Sequence, residues 1–227
     1  MKREIIVTKD GSHTVAIPEM NVTYHSHHGA IQESMHVFIE TGLVYLLSQP
    51  EQQKTQLRIF EMGFGTGLNA FLTAIEGEKR KAHIYYTAVE KYPLSVVEAN
   101  SLNYQLVLGQ QDLFERLHHC PWGVDHTINK YFTLRKEQTD ILSFTAQESF
   151  HLVYFDAFAP SAQPELWTED VFRKLFDIMV EGGVLVTYCS KGSVRRAMQA
   201  AGFVVTKLAG PPGKREIVRA VKTPQRH

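Results

Sequence analysis

Short apolar runs of strand-like character alternate along most of the chain with segments in which apolar residues recur every three or four positions. Strands are predicted at residues 57–60, 82–89, 131–134, 151–155, 184–188, 203–207 and 216–221. Helices are predicted at residues 68–75, 93–100, 168–179 and 193–201. Alternation of this kind is typical of a parallel sheet with helices on both faces. We therefore predict a doubly wound, mostly parallel α/β sheet of seven strands.

The N-terminal part of the chain follows a different pattern. Two short β segments, residues 4–7 and 14–17, flank an Asp10-Gly11 pair, which is a good signal for a hairpin turn. Residues 29–47 then carry apolar positions at helical spacing, and a polar stretch follows at residues 49–54. We expect a small hairpin and helix extension over residues 1–54 and one main domain over residues 55–227.

The overall composition is that of a globular protein, with 44% hydrophobic and 21% charged residues. No run approaches the ~18 apolar residues of a membrane span, and the N-terminus lacks the apolar stretch of a signal peptide. These two observations predict a cytoplasmic protein without membrane contact. The only cysteines are Cys120 and Cys189, which fits a reduced compartment. Histidines cluster at residues 25–28 and 118–119 but lack zinc-ligand spacing, so we predict no metal.

Charge is balanced in total but unevenly distributed along the chain. There are 24 basic and 24 acidic residues. Residues 187–227 hold nine of the basic residues and a single acid, so this segment carries about +8 and the remainder about −8. The C-terminal segment is either a solvated basic chain end or a surface that faces phosphate groups.

A glycine-rich turn joins the first strand of the main domain to its first helix. Gly63, Gly65 and Gly67 form a G-x-G-x-G pattern, which differs from the G-x-G-x-x-G of dinucleotide-binding proteins. Glycines at these positions allow a tight turn and let a ligand lie against bare backbone. No Lys-Ser or Lys-Thr pair follows the turn, which excludes a phosphate-binding P-loop.

Two acidic residues near this turn discriminate between nucleoside ligands. Glu90 ends the second strand of the main domain, where a carboxylate can accept hydrogen bonds from ribose hydroxyls. Glu61 precedes the turn, where a carboxylate would oppose a pyrophosphate but suits the cationic amino-acid end of S-adenosylmethionine. We therefore predict S-adenosylmethionine rather than NAD as the cofactor. The alternative is a purely structural turn followed by a surface glutamate.

The fourth strand of the main domain delivers Asp156-Ala157-Phe158-Ala159-Pro160 to the carboxyl edge of the sheet, where ligands bind in open α/β sheets. Methyl transfer to nitrogen needs a neutral amine aligned behind the methyl group. Asp156 can hold an amine and take up its proton, Phe158 can stack on a planar base, and Pro160 stiffens the loop. We predict that Asp156 is the catalytic residue. The alternative is an ordinary loop in which Asp156 caps the next turn.

These motifs together resemble the methyltransferase half of the bifunctional enzymes that make 5-methylaminomethyl-2-thiouridine at the tRNA wobble position. The resemblance spans roughly residues 20–220. It is carried by residues 24–26, 33–39, 60–69, 89–94, 155–160, 165–168, 182–183, 194–196, 201–203 and 213–216. It implies a Rossmann-like class I methyltransferase fold. The implied reaction moves a methyl group to the exocyclic amine of 5-aminomethyl(-2-thio)uridine, with Asp156 as the catalytic residue.

The resemblance also implies residues that contact the cofactor. These are Glu61, Met62, Gly63, Phe64, Gly65, Thr66, Gly67, Asn69, Glu90, Lys91 and Asp156. Glu137-Gln138 stands where the family often has Gly-Asp, so Thr139 and Asp140 are the expected contacts on the adenine side.

Substrate contacts are implied in the same way, at Tyr24, Ser26, Glu33, Phe158, Pro160, Arg195, Arg196, Lys214 and Arg215. The four basic residues among them would meet phosphates of the tRNA anticodon stem-loop. The fused enzymes carry a flavin-dependent oxidase domain after the methyltransferase, whereas this chain ends at His227. We therefore expect the stand-alone form, without flavin, and with any oxidase partner on a separate chain.

Two other functions fit the same sequence. One is an N-methyltransferase for a small-molecule amine, and the other is a methyltransferase-like binding module without catalysis. The basic C-terminal segment favours tRNA over a small amine. The intact glycine turn and Asp156 favour catalysis over binding alone.

Overall fold

The computed structural model describes residues 2–49 and 56–223. Eight strands form the central sheet: β4 (Leu57–Met62), β5 (Ile84–Val89), β6 (Asp125–Asn129), β7 (Phe132–Glu137), β8 (Phe150–Phe155), β9 (Met179–Thr187), β10 (Val204–Ala209) and β11 (Glu216–Val221). Their order is β10-β11-β9-β8-β4-β5-β7-β6. The five inner strands from β9 to β7 are parallel, whereas β6, β10 and β11 each pair antiparallel with a neighbour. The predicted doubly wound, mostly parallel sheet is confirmed, with eight strands instead of seven.

Helices cover both faces of this sheet. They are α3 (Leu68–Arg80), α4 (Val96–Asn100), α5 (Tyr104–Leu108), α6 (Gln111–His119), α7 (Glu169–Asp177) and α8 (Gly192–Ala200). Phe71 of α3 and Phe114 of α6 pack in the core on one face. Phe172 of α7 and Met198 of α8 pack in the core on the other. This layering follows from the apolar stripe that each helix must bury.

The N-terminal extension consists of a small sheet and a helix. Strands β1 (Glu4–Val7), β2 (His13–Ile17) and β3 (Val22–Thr23) are antiparallel, which confirms the predicted hairpin. A continuous helix follows as α1 (Ala30–Ser34), a π-helical stretch (Met35–Val44) and α2 (Tyr45–Leu47). It packs on the central sheet, where the rings of Phe38 and Tyr154 lie 5.2 Å apart. The predicted boundary at residue 54 and most of the polar stretch lie outside the described residues.

Four elements differ from the predictions. β6 was not predicted because it is an edge strand in which only Ile128 is buried. Neither α5 nor α6 was predicted, although Leu113 and Leu117 of α6 are buried at helical spacing. The helix predicted from Pro93 begins at Val96, because Ser95 forms a capping box with Glu98.

No helix within the described residues is long and apolar enough to cross a membrane. The same residues contain no group of three His, Cys, Asp or Glu side chains that could hold a metal ion.

Candidate active site

The loops after three parallel strands are tied together at the carboxyl edge of the sheet. Strand β4 pairs with β5 on one side and with β8 on the other, so the strand order reverses at β4. The N–H of Gly63 donates to the carbonyl of Val89 over 3.0 Å, and the N–H of Asp156 donates to that of Met62 over 3.1 Å. A cavity of about 420 Å³ opens there, which is the size and place of a ligand site in this kind of sheet.

The glycine turn forms one wall of this cavity. Gly63, Gly65 and Gly67 have φ angles of 91°, 50° and 73°, in the region that favours glycine. A Cβ atom at Gly63 would lie 2.9 Å from the carbonyl oxygen of Asp156, and one at Gly65 would lie 2.9 Å from the ring of Tyr24. The turn therefore needs glycine both for its conformation and for the close approach of neighbouring loops.

Glu90 lies at the end of β5 and holds the turn from the other side. One carboxylate oxygen accepts the N–H of Gly65 at 3.1 Å, and the other accepts the N–H of Tyr92 at 2.8 Å. An ionised carboxylate has about four acceptor positions, so these two bonds leave capacity for ligand hydroxyls. Glu90 lines the cavity, as its predicted role requires.

Asp156 is half-buried and has a defined orientation. The side-chain amide of Asn69 donates a hydrogen bond of 2.8 Å to its Oδ2 atom. Burial raises the pKa of Asp156 to about 7, the Glu33 carboxylate adds to this rise, and the Asn69 bond and Lys214 oppose it. A carboxyl group with such a pKa can exchange a proton near neutral pH, which is the property that general acid–base chemistry needs.

Glu61 lies behind the cavity wall, unlike most of the other predicted cofactor residues. This side chain is fully buried and does not line the cavity. Side chains alternate along a strand, so Met62 borders the cavity while Glu61 points into the core. Neither carboxyl oxygen has a hydrogen-bond partner among the described residues, and burial, reinforced by Asp156, raises the pKa of Glu61 well above its ordinary value. The predicted contact of Glu61 with a cationic ligand stays a prediction.

All the other predicted cofactor residues except Gly67 line the cavity. Those lining the cavity are Met62, Gly63, Phe64, Gly65, Thr66, Asn69, Glu90, Lys91, Thr139, Asp140 and Asp156. Gly67 lies behind the wall, where it is the N-cap of α3. Lys91 Nζ and Asp140 Oδ2 form an ion pair at 2.9 Å. The loop after β5 and the loop after β7, whose residues were predicted separately, therefore meet.

Among the predicted substrate residues, Tyr24 and Phe158 line the cavity, and their rings meet edge to face at 5.1 Å. Ser26 and Glu33 lie outside its wall, where the N–H of Ser26 donates to the Glu33 carboxylate at 2.8 Å. Lys214 forms an ion pair with the same carboxylate.

The remaining predicted substrate residues are also outside the cavity wall; they are Pro160, Arg195, Arg196 and Arg215. Arg196 and Arg215 are exposed, whereas Arg195 donates to the carbonyl of Ser190 at 3.2 Å. The predicted substrate set is therefore divided between the cavity, the Glu33 region and an outer basic surface.

The N-terminal extension supplies cavity residues that the sequence reasoning missed. Arg3 donates to the carbonyl of Tyr92 at 2.6 Å and pairs with Glu98. His25 Nε2 lies 2.7 Å from the hydroxyl of Thr66 in the glycine turn, and burial lowers the pKa of His25 to about 4. His25 is the middle residue of the Tyr24–Ser26 motif, which was a usable signal. Arg3 lies in no motif. Further missed residues on the wall include Met20, Ile141, Leu142, Gln163 and Glu165.

Comparison with known proteins gives a consistent picture. A family model described as S-adenosyl-L-methionine-dependent methyltransferase matches residues 124–223. The tRNA 5-methylaminomethyl-2-thiouridine biosynthesis bifunctional protein MnmC of Ectopseudomonas mendocina is 30% identical over 205 residues, which cover 86% of this chain and 31% of that protein. The MnmC protein of Methylobacillus flagellatus is 32% identical over 208 residues, which cover 86% of this chain and 32% of that protein. The chain thus spans about a third of the length of these relatives.

Solved structures show the same fold. The structure of MNMC2 from Aquifex aeolicus has a TM-score of 0.78 and 26% identity, and the match covers 98% of this chain and 72% of that one. Spermidine synthase from Thermotoga maritima has a TM-score of 0.58 at 13% identity over 98% of this chain and 69% of its own, which is a likeness of fold alone.

Proposed function

We propose that this chain, an S-adenosyl-L-methionine-dependent methyltransferase similar to the MnmC proteins, methylates the exocyclic amine of 5-aminomethyl(-2-thio)uridine at the tRNA wobble position. The product would be 5-methylaminomethyl(-2-thio)uridine, the nucleoside named in the description of the relatives. The observation that carries the proposal is the position of Asp156. Its carboxyl group lies on the wall of the cavity, next to an aromatic pair and with a pKa near neutrality.

The residues on the cavity wall fit S-adenosylmethionine. Glu90 offers acceptor positions for the two ribose hydroxyls. Ile141 and Leu142 provide apolar surface for the adenine, and Asp140 lies beside them. The glycine turn gives bare backbone for the remainder of the ligand. When bound, the sulfonium supplies an activated methyl group.

The chain's own residues handle the amine and its proton. An alkylamine is mostly protonated at pH 7, and a nucleophilic nitrogen must be neutral. As a carboxylate, Asp156 accepts a hydrogen bond from the ammonium and takes up one proton, directly or through water. With S-adenosylmethionine bound, the freed lone pair would take the methyl group to form the new N–C bond, and the carbon–sulfur bond pair would stay on sulfur, which becomes a neutral thioether. Asn69 keeps the carboxyl group oriented throughout.

Two further features support tRNA as the substrate. Arg196 and Arg215 are exposed in the basic C-terminal segment, where they can meet backbone phosphates. A wobble base is unpaired, so its entry into a cavity costs less than extrusion from a duplex. In this proposal the partners are the anticodon stem-loop and, earlier in the same cytoplasmic pathway, a flavin-dependent oxidase activity that exposes the amine.

The deciding experiment is incubation of the protein with methyl-labelled S-adenosylmethionine and tRNA from cells that lack this modification. After digestion to nucleosides, the label should be found in 5-methylaminomethyl(-2-thio)uridine. Fully modified tRNA is the matched control and should accept no label. Label confined to another nucleoside, or transfer only to small amines, would contradict the proposal.

A further inference from the structure

A shielded ion pair lies close to Asp156 but outside the cavity wall. Lys214 pairs with Glu33, which is 181 positions away in sequence. The exposed fractions of their side chains are 27% and 8%, so water reaches the pair mainly from the lysine side. The Lys214 ammonium also lies 4.0 Å from the centroid of the Tyr188 ring. A primary alkylammonium is therefore held between a carboxylate and an aromatic face.

The two residues that hold this ammonium are fixed by bonds in which Lys214 takes no part. The N–H of Ser26 donates to the second oxygen of Glu33 at 2.8 Å. The Tyr188 hydroxyl donates to the carbonyl of Ala157 at 2.8 Å, which anchors the ring next to the catalytic loop. The box formed by Glu33 and Tyr188 is thus built in advance of any ligand.

This box adjoins the catalytic carboxyl group. Glu33 and Lys214 move the pKa of Asp156 in opposite directions, so both lie within electrostatic reach of it. Asp156 in turn acts on the pKa of Tyr188. The bond from Tyr188 to Ala157, the chain neighbour of Asp156, places the box beside this carboxyl group, and the Lys214 cation lies within electrostatic reach of it.

We propose that Glu33, Tyr188 and Asp156 form the subsite for the substrate's primary ammonium, and that Lys214 occupies it as a stand-in until the substrate enters. The proposal rests on the proposed function and specifies how its substrate is recognised. The lysine head group and the aminomethyl group of the substrate are both primary alkylammonium ions. When the substrate ammonium replaces the Lys214 ammonium, the charge of the box stays the same. The shielded Glu33 carboxylate is therefore never left without a cation.

The surrounding loop allows this exchange. The backbone of the loop is held by bonds from the N–H of Lys214 to the carbonyl of Pro211 at 2.9 Å and from the N–H of Gly210 to that of Arg215 at 3.1 Å. The long lysine side chain can leave the box toward solvent while this backbone stays in place. Once displaced, the ammonium of Lys214 is next to exposed Arg215, where it adds to the basic surface.

The test measures direct binding of propylammonium to the full chain saturated with S-adenosylhomocysteine, by calorimetry or ligand-observed NMR. Lys214→Met should bind the probe at least ~10-fold more tightly than the wild type, because its box is vacant. Adding Glu33→Gln to this variant should abolish the gain. Lys207→Met is the matched control, since Lys207 also pairs with a glutamate, Glu216, at 2.8 Å. It should bind like the wild type.

Equal affinity in Lys214→Met and the wild type would overturn the proposal, as would an equal gain in Lys207→Met. Circular dichroism and S-adenosylhomocysteine affinity establish that each variant is folded. If Lys214→Met does not fold, the Cε resonance of Lys214 is followed in the wild type instead. It should shift as propylammonium is added, and a resonance that stays unchanged at saturation would overturn the proposal. Neither readout needs tRNA or turnover, so failure here is distinct from failure of the proposed function.

Discussion

Asn69 donates a hydrogen bond of 2.8 Å to Oδ2 of Asp156, which joins the first turn of α3 to the end of β8. Because α3 starts directly after the glycine turn, this bond couples that turn to the carboxyl group for which we propose the catalytic role. It occupies Oδ2 of Asp156 and leaves Oδ1 for the amine of the proposed substrate. The orientation of the Asp156 carboxyl group is thus set by α3, the helix that also contributes Leu68 and Asn69 to the cavity wall.

Replacing Asp156 with Asn should reduce kcat by at least ~100-fold, because the amide cannot accept a proton. The change keeps the side-chain shape, so affinity for S-adenosylhomocysteine measured by calorimetry should be preserved. Glu165→Gln is a suitable control, since this carboxylate also lines the cavity but is exposed. Turnover of Asp156→Asn at the level of this control would reject the catalytic role.

The rate of methyl transfer should rise with pH through the pKa of Asp156, about 7. Below this pH the carboxyl group is neutral and cannot take the proton from the ammonium. Asn69→Ala should move the midpoint of the kcat/KM profile to higher pH, because the Asn69 bond holds the pKa of Asp156 down. The amine of the substrate is the same in both profiles and cannot produce the difference. Coincident midpoints would show that another group controls the profile.

The same pKa predicts how stability depends on pH. The ordinary pKa of an aspartate is 3.8, and the value in the folded chain is about 7. Between these values the folded state holds more protons than the unfolded state, so this group makes stability fall as pH rises. Asp156→Asn removes the effect and should raise Tm above the wild type by a few degrees, about 2–5 °C, at pH 8. The gain should shrink toward pH 4 in a thermal-melt series, and a constant gain would contradict the assignment.

Much of the fold could be predicted because its main elements carry local signals. Strand β4, the glycine turn and α3 were found from apolar runs and glycine spacing, and Thr168 was correctly placed as the cap of α7. β6 was missed because an edge strand buries few side chains and so shows little pattern.

The candidate site was predictable where its residues adjoin the ends of parallel strands, as Glu90 and Asp156 do. Arg3 reaches the cavity only because the N-terminal hairpin packs beside Tyr92, a relationship that no local spacing encodes. The pairing of Glu33 with Lys214 depends in the same way on tertiary structure. Glu61 is different, since the alternation of side chains along β4 could have shown that it and Met62 point to opposite faces.

Replacing Glu90 with Ala should weaken S-adenosylhomocysteine binding by ~10-fold or more, as expected for the loss of one to two hydrogen bonds to a charged group. The variant also removes the acceptor of the Gly65 N–H, so the glycine turn loses its support. Glu90→Gln retains the acceptor oxygen and should lie between Ala and the wild type. Calorimetric affinities that are equal in all three proteins would exclude Glu90 from cofactor binding.

Charge reversal of Arg196 and Arg215 should weaken tRNA binding while leaving S-adenosylhomocysteine affinity intact, because both residues are exposed and outside the cavity. If each arginine contacts one phosphate, the double variant should lower the slope of log K against log salt by about two. Lys79→Glu is the control, since Lys79 is an exposed cation on α3, outside the basic C-terminal segment. Its tRNA affinity and salt slope should match those of the wild type. A double variant with an unchanged slope would mean that the basic segment does not face the anticodon stem-loop, and the small-amine alternative would then gain support.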